Sequence, residues 1–231
     1  MNTYVRIYVF LLIKLALCSF ITPVVMKVIV LANQKGGAGK TTLAGHLAVR
    51  AEEDGAGPVA LVDTDPQGSL SAWWNERQAS TPGFAAVTLA NLSGHLAELS
   101  ASGIKLVVID TPPAVTDTIR KVIAVADLVI IPSRPSPHDL RAVGSTVALV
   151  EAAGKPMVFV VNGAASRARI TGEAAIALSQ HGKVAPVTIF QRTDFAQSMT
   201  DGRTAQELDP KSRSAAEISE LWTYVRKQIR T

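Results

Sequence analysis

One glycine-rich segment, ANQKGGAGKTTLAG at residues 32–45, constrains the fold of this chain more than any other feature. It follows a short apolar run and leads into a segment of helical character, which is the strand–loop–helix order that a phosphate-binding loop requires. Because glycine has no Cβ, backbone N–H groups in such a loop can converge on phosphate oxygens without steric conflict. The segment therefore predicts a nucleotide site between the first strand and the first helix.

The loop offers backbone donors together with charged and polar side chains. Backbone N–H groups and the positive end of the following helix are expected to bind phosphate. Lys40 is placed to reach the β- and γ-phosphates of ATP, and the Thr41 hydroxyl is placed to ligate Mg²⁺. The predicted nucleotide-binding residues of the loop are Lys35, Gly36, Gly37, Ala38, Gly39, Lys40, Thr41 and Thr42.

Beyond Met26, short and continuously apolar runs alternate with helical segments. Such runs are typical of strands buried on both faces of a sheet, and their alternation with helices indicates right-handed βαβ crossovers. The sequence predicts an α/β fold with a doubly wound, mostly parallel sheet flanked by helices. The predicted strands are 27–32, 58–63, 105–110, 127–132, 156–162 and 185–190, and the predicted helices include 41–54, 137–154 and 215–230.

The first 25 residues differ from the rest, because they form an apolar stretch that is interrupted by Lys14. The longest uncharged run, 15–26, is shorter than the ~20 residues that a membrane-spanning helix needs. Three interpretations stay open: translation starting at Met26 with a dispensable extension, a membrane anchor, and a cleaved signal peptide with Arg6 as its basic flank. We divide the chain into an N-terminal extension, 1–25, and one P-loop domain, 26–231.

Charge and cysteine content narrow the possible partners and cofactors. The net charge of +4 permits an acidic partner such as nucleic acid without requiring one. The single cysteine, Cys18, excludes a disulfide framework and a cysteine-based metal site, and it fits a reducing compartment. The four histidines are scattered without ligand spacing, so no zinc site is predicted.

Carboxylates stand at the ends of two predicted strands. Asp63 ends one strand and Asp65 follows two residues later, while Asp110 ends the run LVVID in the pattern of a Walker B strand. Because the carboxyl ends of parallel strands meet at one edge of a sheet, all three are expected near the glycine loop. Asp110 is the residue expected to hold a water molecule on Mg²⁺.

The loop has the form K-G-G-x-x-K-T-T, and Gln34 stands where the general P-loop has its first glycine. In this respect the sequence resembles the ParA/MinD family of deviant Walker ATPases, over essentially all of residues 26–231. The resemblance implies Mg²⁺-dependent ATP hydrolysis, slow without a partner, by a homodimer that forms in the ATP state. It also implies that Lys40 contacts phosphate in its own subunit, whereas Lys35 reaches the nucleotide of the other subunit.

The same resemblance assigns roles to residues outside the loop. Asp65 positions or activates the attacking water, and Asp63 supports Mg²⁺ directly or through water. Positioning is the better role for Asp65, because an ordinary carboxylate is a weak base. Asn162 matches an adenine-contacting position, although it is also a plausible turn residue before Gly163.

Two positions depart from the family pattern. The family often has arginine or lysine where this chain has Gly163, and it has a smaller or neutral residue where this chain has Arg134. The segment around Arg134, SRPSPHDL, resembles one that lies near the dimer interface. That part of the interface is therefore the least certain part of the resemblance.

Three functions are compatible with such a switch: DNA segregation or cargo positioning, MinD-like membrane association, and a metabolic enzyme of the same superfamily. The domain has no cysteine for a cluster-bearing reductase, and a synthetase does not need the signature-lysine loop. The overall likeness is to the small ParA type of plasmid partition. We predict a cytoplasmic, nucleoid-associated switch that positions a plasmid, chromosome or protein organelle, stimulated by a centromere-binding or cargo-adaptor protein.

This prediction includes nonspecific binding of double-stranded DNA by the ATP dimer. Its basic candidates are Arg167, Arg169, Arg192, Arg203, Lys211 and Arg213.

The membrane alternative requires an amphipathic C-terminal helix. An apolar stripe with spacings of three and four is present there, and we expect it to pack on the sheet of its own domain. Its members are Ile218, Leu221, Trp222, Val225 and Ile229. Trp73 and Trp74, which follow the Asp63–Asp65 segment, are likewise expected to pack in the core or an interface instead of stacking on bases.

Overall fold

The computed structural model describes residues 25–113 and 117–229. The predicted extension, 1–25, lies outside these residues except for Val25. In this part of the chain the strands are β1 (Lys27–Leu31), β2 (Val59–Asp63), β3 (Gly83–Phe84), β4 (Leu106–Asp110), β5 (Leu128–Ser133), β6 (Met157–Ala164), β7 (Lys183–Val184) and β8 (Ile189–Phe190). The α-helices are α1 (Lys40–Glu53), α2 (Ser69–Asn75), α3 (Leu92–Ala101), α4 (Asp117–Ala124), α5 (Pro137–Ala152), α6 (Arg169–Ser179), α7 (Thr193–Ser198), α8 (Ala205–Leu208) and α9 (Arg213–Gln228).

The strands form one parallel sheet in the order β3-β2-β4-β1-β5-β6-β7. β7 pairs with the first half of β6, and β8 pairs with the last residues of β6. The order confirms the predicted doubly wound topology. It also places β1 between β4 and β5, so the loop that follows β1 lies between the carboxyl ends of both neighbours. Leu31 and Asp63 each pair in register with Asp110, which brings the strand ends to one level.

Two strand predictions needed correction. Of the predicted strand 185–190, only the last two residues form a strand, β8, while β7 lies just before it in the sequence. Residues 185–188 connect β7 with β8, and both strands pair with β6. Pro186 lies in the gap, and proline has no N–H to donate to a strand partner. The two-residue strand β3 was not predicted. It is too short to carry a periodic pattern, and it extends the edge of β2.

Apolar side chains cover both faces of the sheet, with α1, α2 and α9 on one face and α3 to α6 on the other. The apolar stripe of α9 belongs to the first of these layers. Ile218, Leu221 and Val225 are 0% exposed, and the Trp222 indole N–H donates to Asp54 Oδ2 at 2.9 Å. The prediction that α9 packs on its own domain is confirmed. None of the described helices is long and apolar enough to cross a membrane.

Candidate functional site

The phosphate loop is held in shape by two buried asparagines. The Asn33 amide donates to the Pro132 carbonyl at 2.6 Å, and its oxygen accepts from the Lys35 N–H at 2.8 Å. From β6, the Asn162 amide donates to the Ala38 carbonyl at 2.6 Å. These contacts fix the backbone of the loop. The sequence had not identified Asn33, because a single asparagine at a strand end carries no motif.

Two glycines of the loop have backbone geometry that other residues rarely adopt. Gly37 has φ 74° and Gly39 has φ 90°, both in the left-handed region. A Cβ on Gly39 would also lie 2.1 Å from Asn162 Nδ2. Glycine at position 39 therefore allows both the turn and the support from β6. Asn162 lies behind the loop here, and its contact with adenine stays a prediction.

Lys40, the first residue of α1, is 6% exposed and lines the cleft above the loop. Burial lowers the pKa of Lys40, while the nearby charges of Asp110 and Asp65 act in the opposite direction. A buried ammonium group with carboxylates close by has lost much of its hydration. Because a buried charge with little hydration needs charged or polar partners, phosphate oxygens in the cleft would be favourable partners for Lys40.

Thr41 and Asp110 form the tightest polar pair of the site, with Thr41 Oγ1 donating to Asp110 Oδ2 at 2.5 Å. Asp110 is 1% exposed and also accepts from the Thr111 N–H at 3.0 Å. Burial raises the pKa of Asp110 to about 7, and the Asp63 charge adds to this effect. A hydroxyl beside a carboxylate at a helix N-terminus fits Mg²⁺, which binds one or two protein oxygens and completes its shell with water and phosphate.

The two carboxylates after β2 have different surroundings. Asp63 accepts from the Asp65 N–H at 3.0 Å, from the Ser71 N–H at 2.9 Å and from the Ser71 hydroxyl at 3.1 Å. It therefore fixes the start of α2, which favours indirect support of Mg²⁺ over direct ligation. Asp65 accepts from the Gln67 N–H at 3.0 Å and lines the cleft, where a positioned water would lie.

The loop borders an open cleft of about 770 Å³, a volume within the range usual for small-molecule sites. Besides loop residues and Asp65, the cleft is lined by residues that were not predicted to bind nucleotide. These are Ser69, Ala72, Trp73, Glu76, Pro113, Arg134, Met199 and Thr200. Trp73 is 3% exposed and donates to the Arg203 carbonyl at 3.0 Å, which confirms its predicted packing role.

Lys35 contrasts with Lys40. It is exposed and is not part of the lining of the cleft in its own subunit. Its ammonium group makes no hydrogen bond or ion pair with any residue that the structure describes. This position is compatible with the predicted contact to a second subunit, which stays a prediction.

The six basic residues predicted to face DNA differ in how free their charges are. Arg192 donates to Glu217 Oε1 from Nη2 at 2.5 Å and from Nε at 3.0 Å, and it lies 5.6 Å from the centre of the Phe190 ring. Arg203 pairs with Asp201 at 2.6 Å. The remaining four, Arg167, Arg169, Lys211 and Arg213, are exposed, although Arg169 lies 3.6 Å from Glu173.

A family described as the CobQ/CobB/MinD/ParA nucleotide binding domain matches residues 29–205, which include the loop, all three aspartates and Asn162. The chain belongs to this family. The predicted relationship to ParA and MinD is thereby confirmed, and members of the ParA/MinD family are ATPases.

Two curated relatives share a name. The "Maintenance of carboxysome distribution protein A" of Gloeobacter kilaueensis is 43% identical over 126 residues, which are 52% of this chain and 55% of the relative. The protein of the same name from Halothiobacillus neapolitanus is 29% identical over 205 residues, which are 82% of this chain and 92% of the relative. The matched region thus spans little more than half of the first relative and nearly all of the second.

Solved structures support the fold. The septum site-determining protein MinD of Pyrococcus horikoshii, in complex with Mg-ADP, superimposes with a TM-score of 0.74 at 17% identity, covering 87% of this chain and 96% of that one. At this identity the similarity concerns the fold alone.

Proposed function

We propose that this chain is a Mg²⁺-dependent ATPase switch that dimerises in the ATP state and positions a cargo. The observation that carries the proposal is the cleft itself. Lys40, the Thr41–Asp110 pair and Asp65 lie around one preformed phosphate loop, while Lys35 projects outside it. The structurally similar MinD is named as a complex with Mg-ADP, which supports the choice of a nucleotide with Mg²⁺ as the ligand.

Each residue has one task in this proposal. Lys40 and the loop N–H groups would bind the phosphate chain, and Thr41 with Asp110 would hold Mg²⁺, which supplies positive charge to neutralise the phosphates. Asp65 orients the attacking water from the β2 side of the cleft. Because Asp63 accepts hydrogen bonds from the Asp65 N–H and from the start of α2, it keeps the Asp65 segment in place.

Dimerisation follows from the free position of Lys35. An exposed ammonium group gains little in the monomer, where water solvates it. Between two subunits it would contact the partner's nucleotide in a dry interface, where the charge interaction is much stronger. Nucleotide binding and dimerisation are then linked, because each favours the state that the other requires.

A protein organelle is the cargo that the comparisons favour, because two relatives are named for carboxysome distribution. We propose that the ATP dimer binds DNA nonspecifically through exposed basic residues and that an adaptor protein stimulates hydrolysis. Doubling a small basic patch in the dimer raises its effective affinity for DNA. The MinD-like membrane alternative has less support, because the apolar stripe of α9 is buried.

Two substitutions of the same kind in one loop test the proposal. Lys40→Ala removes a contact in the subunit's own cleft, so it should weaken binding of ATP and ADP. Lys35→Ala should leave nucleotide affinity of the monomer unchanged and abolish dimerisation with a slowly hydrolysed ATP analogue. Calorimetry measures the first effect, and size-exclusion chromatography with light scattering measures the second.

Equal losses of nucleotide affinity in both variants would contradict the role of Lys35 in a second subunit. Absence of nucleotide binding by the unsubstituted chain would contradict the proposed function as a whole.

A further inference from the structure

Arg134 is the first residue after β5, and its exposed side chain lines the nucleotide cleft together with Gly36, Gly37 and Lys40. No nucleotide-binding motif includes this position. Since β5 is a direct neighbour of β1, the end of β5 lies beside the phosphate loop. The strand order of the fold therefore places Arg134 at the wall of the cleft.

The stem of Arg134 rests against Gly163, at the end of β6. Arg134 Nε, Cγ and Cδ lie 3.5, 3.6 and 3.9 Å from the position that a Cβ of Gly163 would occupy. These are ordinary contact distances, but Gly163 has φ 64°, a backbone conformation that favours glycine over residues with a side chain. The bare glycine therefore leaves a flat surface along which the arginine stem lies.

The guanidinium group of Arg134 has no hydrogen bond or ion pair with any described residue. Other arginines near the cleft differ in this respect, since Arg77 pairs with Glu207 at 2.8 Å and Arg203 with Asp201 at 2.6 Å. The guanidinium group of Arg134 is therefore free to bind an anion in the cleft. Arginine is also the side chain best shaped to donate two parallel hydrogen bonds to phosphate.

The position of Arg134 relative to the metal pair indicates which part of the nucleotide it meets. Thr41 and Asp110 lie on the β4 side of β1, whereas Arg134 lies on the β5 side. If Thr41 and Asp110 hold Mg²⁺ with the terminal phosphates, the β5 side of the loop would be left for the α-phosphate end.

We propose that Arg134 binds the α-phosphate end of the nucleotide in its own subunit and sets the affinity for ADP and ATP alike. This inference rests on the proposed function, because it requires that the cleft binds a nucleotide. It adds a nucleotide contact to those that the loop itself supplies.

Calorimetric titration of ADP–Mg²⁺ tests the inference, because ADP avoids the contribution of ATP-driven dimerisation. Arg134→Gln should weaken ADP binding about tenfold or more, the usual effect of losing hydrogen bonds to a charged group. ATP binding should weaken by a similar factor, and Arg134→Lys should recover part of the loss through its charge. Arg141→Gln is the matched control, since it removes the same charge from an exposed position on α5 that does not line the cleft.

Unchanged ADP affinity in Arg134→Gln, with ADP binding by the unsubstituted chain intact, would overturn the inference and leave the proposed function standing. A loss confined to ATP-dependent dimerisation would also overturn it, because Arg134 would then act across the interface. If the unsubstituted chain bound no ADP, the proposed function would fail, and the inference would fail with it. Equal weakening in Arg141→Gln would overturn it as well, since general surface charge would explain the effect.

Discussion

His46 provides a pH-dependent contribution to stability that can be calculated from its surroundings. It lies on α1 at 0% exposure, with Nδ1–H donating to the Thr42 carbonyl at 2.7 Å. Its Nε2 accepts from the Ala205 N–H at 3.0 Å and lies 3.3 Å from the Ser198 hydroxyl. A second proton on Nε2 would break the contact to Ala205, so the folded protein requires the neutral imidazole.

Burial lowers the pKa of His46 from the ordinary 6.5 to about 4, and the positive charge of Arg77 lowers it further. The hydrogen bond to the Thr42 carbonyl and the negative charge of Glu207 raise the pKa and offset part of this effect. The unfolded chain therefore binds a proton between pH 6.5 and 4 that the folded chain does not. The stability that His46 contributes is fully present above pH 6.5 and is lost as pH falls toward 4. Linkage gives a loss of about 2 kcal/mol between pH 7.5 and 5, and about 3 kcal/mol below pH 4.

Urea unfolding at pH 7.5, 6 and 5, with linear extrapolation to water, measures this contribution. Other groups titrate over the same range, and Asp110 acts in the opposite direction because its pKa is raised to about 7. The comparison must therefore be made with His46→Gln, which retains a polar side chain but does not titrate. The unsubstituted protein should lose about 2 kcal/mol more than this variant between pH 7.5 and 5.

Parallel pH profiles of the two proteins would refute the argument, because they would mean that His46 accepts a proton in the folded state. If His46→Gln does not fold, the imidazole resonances of the unsubstituted protein supply the test. Their titration midpoint should lie near pH 4 instead of 6.5.

Two further predictions concern turnover and DNA. Asp65→Ala should keep ATP binding and dimerisation but reduce turnover on the order of a hundredfold, as measured by phosphate release; normal turnover would remove Asp65 from the mechanism. The double substitution Lys211→Ala with Arg213→Ala should flatten the log–log dependence of DNA affinity on salt by roughly one unit for each phosphate that is no longer neutralised. By contrast, Arg192→Ala should chiefly lower the free energy of unfolding, by roughly 1–3 kcal/mol in urea titrations, because Glu217 loses its charged partner and keeps the Phe190 N–H as a donor; a larger effect on DNA than on stability would contradict this assignment.

The nucleotide loop and its carboxylates were predictable because their signals are local. A glycine run between an apolar strand and a helix indicates where backbone N–H groups converge, and this signal does not depend on contacts with distant parts of the chain. Asp110 at the end of an apolar run was predictable for the same reason, and parallel pairing then brought it to Thr41. Residues at the carboxyl ends of neighbouring parallel strands lie at the same edge of the sheet, so the topology alone brings them together.

Residues that act through distant contacts were not predictable in this way. Asn162 was predicted to contact adenine from its match to a family position, and the structure adds a hydrogen bond to Ala38, which is 124 residues away in the sequence. Arg192 was grouped with the DNA-facing residues because of its charge alone, whereas it is bound by Glu217 from α9. Such pairings depend on how helices pack on the sheet, and no pattern within one segment records them.

The two departures from the family pattern show the same limitation. In the sequence, position 163 has glycine where the family often has arginine or lysine, and position 134 has arginine where the family has a smaller or neutral residue. Ser133 pairs in register with Val161, so Arg134, which follows β5, lies close to Gly163 near the end of β6. The arginine stem lies beside Gly163 at ordinary contact distance, and Arg134 lines the cleft. Two mismatches counted separately thus become one contact, and under the proposed role of Arg134 the second of them supplies a cation to the nucleotide site.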